Sequence, residues 1–137
     1  MICPVAALAA SAALAACAGA LALVRGRFLL VTVQGGSMYP TLSDGDRLLM
    51  RRRPPDGPLA RDAIVAVHAP DETGGPLYVK RVAAAPGDRL PSEAGRVEAD
   101  HYFLLGDHEH SRDSRAWGCV PGSHIVAVAS RRRTGTP

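Results

Sequence analysis

The sequence predicts a mainly β domain of roughly a hundred residues, large enough to fold alone, behind one N-terminal transmembrane helix. All 16 basic and 13 acidic residues lie after residue 24, and a long apolar stretch precedes them. The charged part contains short apolar runs separated by segments rich in proline, glycine and aspartate, with no helical period of useful length. We therefore divide the chain into a membrane anchor, residues 1–24, and a β-rich domain, residues 25–137.

Residues 5–24 predict the transmembrane helix. All 20 are Ala, Leu, Val, Ser, Cys or Gly, and at about 1.5 Å each they span roughly 30 Å, the thickness of a bilayer's hydrocarbon core. The alternatives are a buried core helix, which normally carries a polar stripe, a cleaved signal peptide, and a lipoprotein signal at Leu14-Ala15-Ala16-Cys17. Both signals lack the basic region expected near Met1, so we favour an uncleaved anchor.

The charges beside this anchor bear on its orientation. Arg25 and Arg27 follow the apolar stretch, and no basic residue precedes it. The positive-inside rule would therefore place the β-rich domain in the cytoplasm. This bias opposes the location that the motifs described below imply.

Six apolar runs predict β-strands, because each is short and bounded by turn residues. They comprise residues 28–33, 47–50, 64–68, 77–83, 102–105 and 125–129. Cys119 is the single cysteine of this domain, so a disulfide within the domain is impossible, and we interpret it as a small buried hydrophobe. The arginine triplets 51–53 and 131–133 lack interleaved aromatic residues, so we interpret them as solvated turns or tails and predict no nucleic-acid partner.

Ser37 is the first candidate for chemistry. It follows Gly35 and Gly36 directly after a predicted strand. Two glycines allow a ligand to approach the backbone closely, and a serine at a tight turn can direct its hydroxyl and its amide toward the same atom. Gly-Gly-Ser is also a common turn, so this tripeptide by itself indicates nucleophilic catalysis only weakly.

Lys80 is the second candidate, and it is the only lysine among the 16 basic residues. Strand alternation over residues 77–83 places Lys80 and its neighbour Arg81 on opposite faces, so one of the two must point toward the core. If Lys80 points inward, lost hydration lowers the pKa of its amine, and a neutral amine can take the proton of a serine hydroxyl. An arginine could not do so. The alternative is an exposed strand lysine.

A third cluster, residues 106–118, is dense in charges and hydroxyls. Asp113 and Arg115 are spaced to form a charge-assisted contact that would pin this loop. His108 and His110 suggest a metal site, but no further ligand lies at a diagnostic spacing. We therefore interpret both histidines as solvated loop residues, and the family resemblance described below implies neither a metal nor an organic cofactor.

Together these segments resemble the type I signal peptidases, the membrane-anchored serine/lysine proteases. Four stretches match the family's motifs in the family's order, and with the anchor the resemblance covers most of the chain. They are residues 37–42 (SMYPTL), 44–46 (DGD), 78–88 (YVKRVAAAPGD) and 106–115 (GDHEHSRDSR). Four ordered motifs are far more specific than any one of them.

The resemblance implies a role for each matching residue. Ser37 would attack the scissile carbonyl, neutral Lys80 would be the general base, and the Ser37 amide would donate to the oxyanion. Ser111 would orient the lysine, and the Asp113–Arg115 ion pair would steady the loop. The remaining implied residues are Gly35 and Asp107 as catalytic support, and Met38, Tyr39 and Pro40 at the substrate-binding cleft.

The resemblance also implies a fold, a substrate and a location. The fold would be an antiparallel-sheet catalytic domain, and only 17 residues separate Asp88 from Gly106, so the large second domain inserted there in bigger relatives would be absent. Substrates would be signal-bearing preproteins with small residues before the scissile bond. The enzyme would be a single-pass protein of the cell membrane, in contact with lipid, with its catalytic domain on the extracytoplasmic side.

Three departures from the family pattern concern the site. Gly35 stands where some relatives carry a hydroxyl residue that completes the oxyanion hole, so the second donor is open. His108 replaces the usual asparagine after Gly-Asp. The interval from Asp107 to Ser111 is one residue shorter than in many members.

Two other functions remain open at this stage. One is a self-cleaving regulatory protease of the SOS-repressor type with the same dyad, for which a DNA-binding head should precede the serine. The other is a membrane- or lipid-anchored β module without enzymatic activity. A preference for one client or for general secretion is also open.

Overall fold

The computed structural model describes residues 4–52, 57–72, 74–91 and 94–129. Helix α1, Pro4–Arg27, covers residues 5–24 of the predicted anchor and continues three residues beyond them. This helix is long enough and apolar enough to cross a membrane, and none of its side chains from Ala7 onward is buried. A buried core helix is therefore the wrong interpretation of this segment, since the domain does not cover it.

Seven antiparallel strands form one sheet in the described part of the domain, with spatial order β1-β2-β7-β3-β4-β5-β6. Two short helical segments, α2 (Ser114–Trp117) and a 3-10 turn (Gly122–His124), flank β6. The strands are β1 (Phe28–Thr32), β2 (Arg47–Arg52), β3 (Ile64–His68), β4 (Leu77–Ala84), β5 (His101–Leu105), β6 (Val120–Pro121) and β7 (Ile125–Ala129).

All six predicted strands are present, so the mainly β fold class with one N-terminal apolar helix is confirmed. The sequence did not predict β6, α2 or the 3-10 turn, because two to four residues are too few to display a period. The assignment of Arg51 and Arg52 to a turn is wrong. They extend β2 and pair with β7, although both side chains are exposed. Residues 53 and 131–133 lie outside the described residues.

Both faces of the central strands are buried, and their alternation decides where Lys80 points. Val65 packs in a cluster with Val82 and Tyr102 on one face, whereas Ala66 packs with Met50 on the other. Lys80 pairs with Val65 in the β3–β4 register. Residues directly opposite one another in an antiparallel pair share a face, so the Lys80 side chain enters the first cluster.

The connection between β4 and β5 is short and folds back on the sheet. An isolated bridge joins Arg89 to Arg96, and Val97 packs against Ala84 and Phe103 in a small third cluster. In the described residues this connection contains no second domain, as the fold class predicted.

The outer face of the β1–β2 pair is apolar and exposed. Leu30 and Leu49 lie directly opposite each other, and their exposed fractions are 58% and 59%. Phe28, on the same face, follows immediately after the last residue of α1. Arg47 and Arg51 pair with Thr32 and Phe28, so basic residues flank these apolar side chains.

Candidate active site

The segment that follows β1 carries Ser37 and is fastened by the next predicted motif, residues 44–46. The amide of Gly35 donates to Asp44 Oδ1 at 2.8 Å, and the amide of Gly45 donates to the carbonyl of Val33 at 2.8 Å. Gly35 has a φ of +77°, a conformation that residues with a Cβ rarely adopt. These contacts hold the Ser37 turn at the end of β1.

Met38 anchors this turn from below. Its side chain is fully buried with Met50 and Val79, and its carbonyl accepts from the amide of Leu42 at 2.9 Å. A role for Met38 in substrate binding stays a prediction, but the side chain has no exposed surface with which to contact a peptide. Tyr39 and Pro40 are exposed, as a substrate-facing position requires.

Lys80 points inward and only 1% of it is exposed. Its ammonium group donates to Ser111 Oγ at 2.7 Å. Burial lowers the pKa of the amine to about 8, because the charged form loses its hydration. The negative charge of Asp113 opposes this shift, and the positive charge of Arg115 adds to it. About one in ten lysine side chains with such a pKa is neutral at pH 7.

Residues 106–113, which we call the Ser111 loop, are organised around the buried carboxylate of Asp113. Its oxygens accept from the backbone amides of Gly106 and Arg115, at 2.9 and 3.0 Å. The Arg115 guanidinium adds two further bonds, at 2.9 and 2.6 Å. Burial by itself would raise the pKa of Asp113, but these donors outweigh it and the pKa lies below its usual value. The predicted Asp113–Arg115 contact is therefore present in the structure.

Gly106 brings the Ser37 turn and the Ser111 loop together. A Cβ at this position would collide with the Ser111 side chain and lie 2.6 Å from the carbonyl oxygen of Ser37. The same carbonyl accepts from the amide of His108 at 3.0 Å. The two serines thus approach each other across a residue that has no side chain.

Asp107 is held from the opposite face of β4. Arg81 donates to both carboxylate oxygens of Asp107, at 2.8 and 2.7 Å. These bonds, together with a hydrogen bond from Thr41, lower the pKa of Asp107. Arg81 also donates to the carbonyl of Asp62 at 3.1 Å. Neighbouring residues of one strand therefore serve the same loop, Lys80 through Ser111 and Arg81 through Asp107.

An open pocket of about 650 Å³ exposes both serines. Lys80 does not line it and lies beneath Ser111. Among the hydrogen bonds of the described residues, none joins Ser37 to Lys80 directly. The residues that line the pocket are Gly36, Ser37, Tyr39, Ser43, Asp44, His108, His110, Ser111 and Arg112.

His108 and His110 lie at the rim of this pocket with their ring centres 5.6 Å apart. In the part of the chain that the structure describes, no three histidine, cysteine or acidic side chains gather as a metal site would require. The amide of His110 donates to His108 Nδ1. The absence of a metal from the reaction stays a prediction.

Sequence reasoning missed three supporting side chains. Ser114 accepts from the amide of Leu104 at 2.9 Å and so ties α2 to β5. Thr41 and Arg81 contact Asp107. All three lie inside the quoted motifs, and this position indicated that they could belong to the site. Their hydrogen-bond partners lie in other segments of the chain, so only the folded structure identifies those partners.

The chain matches the signal peptidase family, peptidase S26, over residues 6–97 and 90–132. Signal peptidase IB of Staphylococcus aureus is 27% identical over 154 aligned positions, which cover 78% of this chain and 79% of the relative. Signal peptidase I of Bacillus caldolyticus is 42% identical over 59 residues, which cover 42% of this chain and 31% of the relative. The chain belongs to the signal peptidase family, and its similarities lie with the type I enzymes.

Proposed function

We propose that this chain is a membrane-anchored serine endopeptidase that removes signal peptides from exported proteins. The observation that carries the proposal is the buried ammonium group of Lys80, 2.7 Å from Ser111 Oγ beneath the pocket that contains Ser37. A lysine whose pKa has fallen to about 8 can act as a base near neutral pH. Family membership supports the same reaction.

Ser37 is the proposed nucleophile and neutral Lys80 the proposed general base. The Ser37 oxygen bonds to the scissile carbonyl carbon as Lys80 takes its proton, and Lys80 then returns that proton to the departing amine. Water repeats the sequence on the acyl-enzyme and frees Ser37. For this step the Ser37 hydroxyl must come within hydrogen-bonding reach of Lys80. Substrate bound in the pocket would favour the Ser37 rotamer that directs the hydroxyl toward Lys80.

The amide of Ser37 is the proposed oxyanion donor. A backbone N–H aimed at the developing negative charge stabilises the tetrahedral intermediate. Gly35 cannot supply the second donor from its own amide, because that N–H already donates to Asp44. The second donor is therefore a different group.

Three features support a location on the membrane. Helix α1 has the length and composition of a membrane span, and only 12 residues separate Val24 from Ser37, which fully extended reach at most about 40 Å. The exposed apolar face of Phe28, Leu30 and Leu49 adjoins the same end of α1. We place the catalytic domain on the extracytoplasmic side, where a signal peptide emerges with its cleavage site near the bilayer.

The proposal is tested with the full chain in lipid vesicles and a signal-bearing preprotein, whose product is sequenced from its N-terminus. We expect cleavage by the parent and none by Ser37→Ala or by Lys80→Arg, which keeps the charge but cannot accept the proton. The matched control is Arg61→Gln, which removes an exposed arginine from an ion pair elsewhere. Cleavage retained in either dyad variant would exclude the proposed mechanism.

A further inference from the structure

Arg112 joins the Ser111 loop to a distant turn. It lies between Ser111 and Asp113, yet its guanidinium points to the segment after β3. One of its terminal nitrogens lies 2.6 Å from Asp71 Oδ2 and the other 2.9 Å from Glu72 Oε1. Two carboxylates that engage both terminal nitrogens fix the orientation of the planar guanidinium, which a single ion pair would not do.

The turn that receives Arg112 is itself fastened to β4. Glu72 donates its amide to the carbonyl of Ala69, and its second carboxylate oxygen accepts from the Tyr78 hydroxyl at 3.4 Å. Tyr78 lies on the same face of β4 as Lys80, whose ammonium group is 5.8 Å from the centre of its ring. The residue beside Ser111 is thus tied, through Glu72 and Tyr78, to the strand that carries Lys80.

We propose that Arg112 is a positioning residue, which holds Ser111 against Lys80 by clamping the Ser111 loop to Asp71 and Glu72. The inference rests on the peptidase function proposed above. Apart from the Ser111–Lys80 bond itself, the other described side-chain contacts between the loop and its surroundings are made by Asp107 with Arg81 and Thr41, and by Arg115 with Asp113 and with the carbonyl of His108. The Arg112 side chain secures the segment between Asp107 and Asp113.

A direct contact between Arg112 and substrate is the competing explanation, because Arg112 also lines the pocket. The two carboxylates separate the alternatives, since neither Asp71 nor Glu72 lines the pocket. Glu72 also accepts from the Tyr78 hydroxyl, but Glu72→Gln retains an oxygen that can accept this bond, so the carboxylate variants act on the site through the clamp. Exposed ion pairs contribute little to folding stability, and Arg112 is half exposed, so we expect these variants to fold.

The kinetic test compares Arg112→Gln with the double variant Asp71→Asn/Glu72→Gln and with the triple variant, all in the full chain. We expect each to lower kcat about tenfold with KM changed less than twofold, and the triple variant to lose no more than Arg112→Gln, because all remove one interaction. Arg112→Lys should recover part of the rate, and Arg61→Gln should match the parent. A loss confined to KM, with the carboxylate variants unaffected, would overturn the proposal.

A second measurement does not depend on activity. Because Lys80 is the only lysine, ¹⁵N-lysine labelling gives one side-chain amine signal, whose titration reports the Lys80 pKa. A loosened loop admits water to the ammonium group, so Arg112→Gln and the double carboxylate variant should both raise the midpoint from about 8 toward that of a free lysine. Asp113 and Arg115, whose charges act on Lys80, remain in both variants.

The sign of the shift decides the outcome. Direct electrostatics alone would raise the midpoint when Arg112 loses its charge and lower it when the two carboxylates lose theirs. Shifts of opposite sign, or midpoints equal to that of Arg61→Gln, would overturn the clamp. If the parent fails to cleave any preprotein, the proposed function fails, whereas this titration still tests the clamp.

Discussion

The ammonium group of Lys80 lies 2.7 Å from the hydroxyl oxygen of Ser111, in a site where only 1% of the lysine is exposed. A charged amine needs an acceptor when water is withdrawn, and Ser111 supplies one without adding negative charge. Asp113 supplies negative charge nearby but uses its oxygens on Gly106 and Arg115. The amine is therefore held in place while its proton remains easy to remove.

The pH dependence of cleavage should follow the Lys80 proton. Because the neutral amine is the proposed base and the Lys80 pKa is about 8, kcat/KM should rise about tenfold per pH unit below that value and level off above it. Steady-state kinetics of the full chain between pH 5 and pH 10 measure this profile. A rate independent of pH between 6 and 9 would contradict Lys80 as the base.

Folding stability should rise with pH between about 8 and 10.5. The pKa of Lys80 is about 8 in the folded chain and 10.5 in the unfolded chain. Between these pH values the unfolded chain binds more protons than the folded chain, so raising the pH stabilises the folded state. Below pH 8 the penalty for burying the charge is fully present. Lys80→Met removes the titrating group, so its free energy of unfolding should change less steeply with pH between 8 and 10.5. Urea unfolding at several pH values checks this, and equal slopes would contradict it.

Replacement of Asp113 should affect both stability and the base. In Asp113→Asn an amide group faces the donors of Gly106 and Arg115, and we expect a loss of about 2 kcal/mol in the free energy of unfolding. Asp113 also holds the Lys80 pKa up, so the midpoint of the pH–rate profile should fall. Glu98→Gln, at an exposed position, is the control. A midpoint that stays or rises in Asp113→Asn would contradict the assigned electrostatics.

Gly106→Ala should disable the site without unfolding the sheet. The added Cβ would collide with the Ser111 side chain and with the backbone carbonyl of Ser37, and backbone cannot rotate away as a side chain can. We expect kcat to fall at least tenfold, with the far-ultraviolet circular dichroism unchanged. Gly26→Ala, where nothing lies within 4 Å of the new Cβ, should behave like the parent. Full activity of Gly106→Ala would show that close approach of Ser37 and Ser111 at Gly106 is not required for cleavage.

Much of the architecture followed from the sequence because its signals are local. The apolar stretch before Arg25 predicted α1, and runs bounded by Gly, Pro and Asp predicted six strands within one or two residues. The exceptions were β6 and α2, which are too short to carry a period, and Arg51 and Arg52, which looked like a turn but extend β2. Pairing with β7 decided their conformation, and that partner is remote in sequence.

The order of the motifs along the chain also identified candidate site residues, but not how each one is used. Met38 lies in the matched segment around Ser37, and only packing shows that its side chain is buried in the core. Arg112 resembled any charged loop residue, and only its proximity to Asp71 and Glu72 distinguishes it. Such contacts join segments about 40 residues apart, which no local pattern encodes.

By itself, the sequence determined that one lysine stands among many arginines, at a position where a base was expected, and that this lysine or Arg81 must face inward. Tertiary structure decided which of the two does so. The β3–β4 register sets Lys80 opposite Val65 and beneath Ser111, whereas Arg81 emerges on the other face to hold Asp107. The physical reason is that burial lowers the pKa of an amine, and burial depends on how remote strands pair.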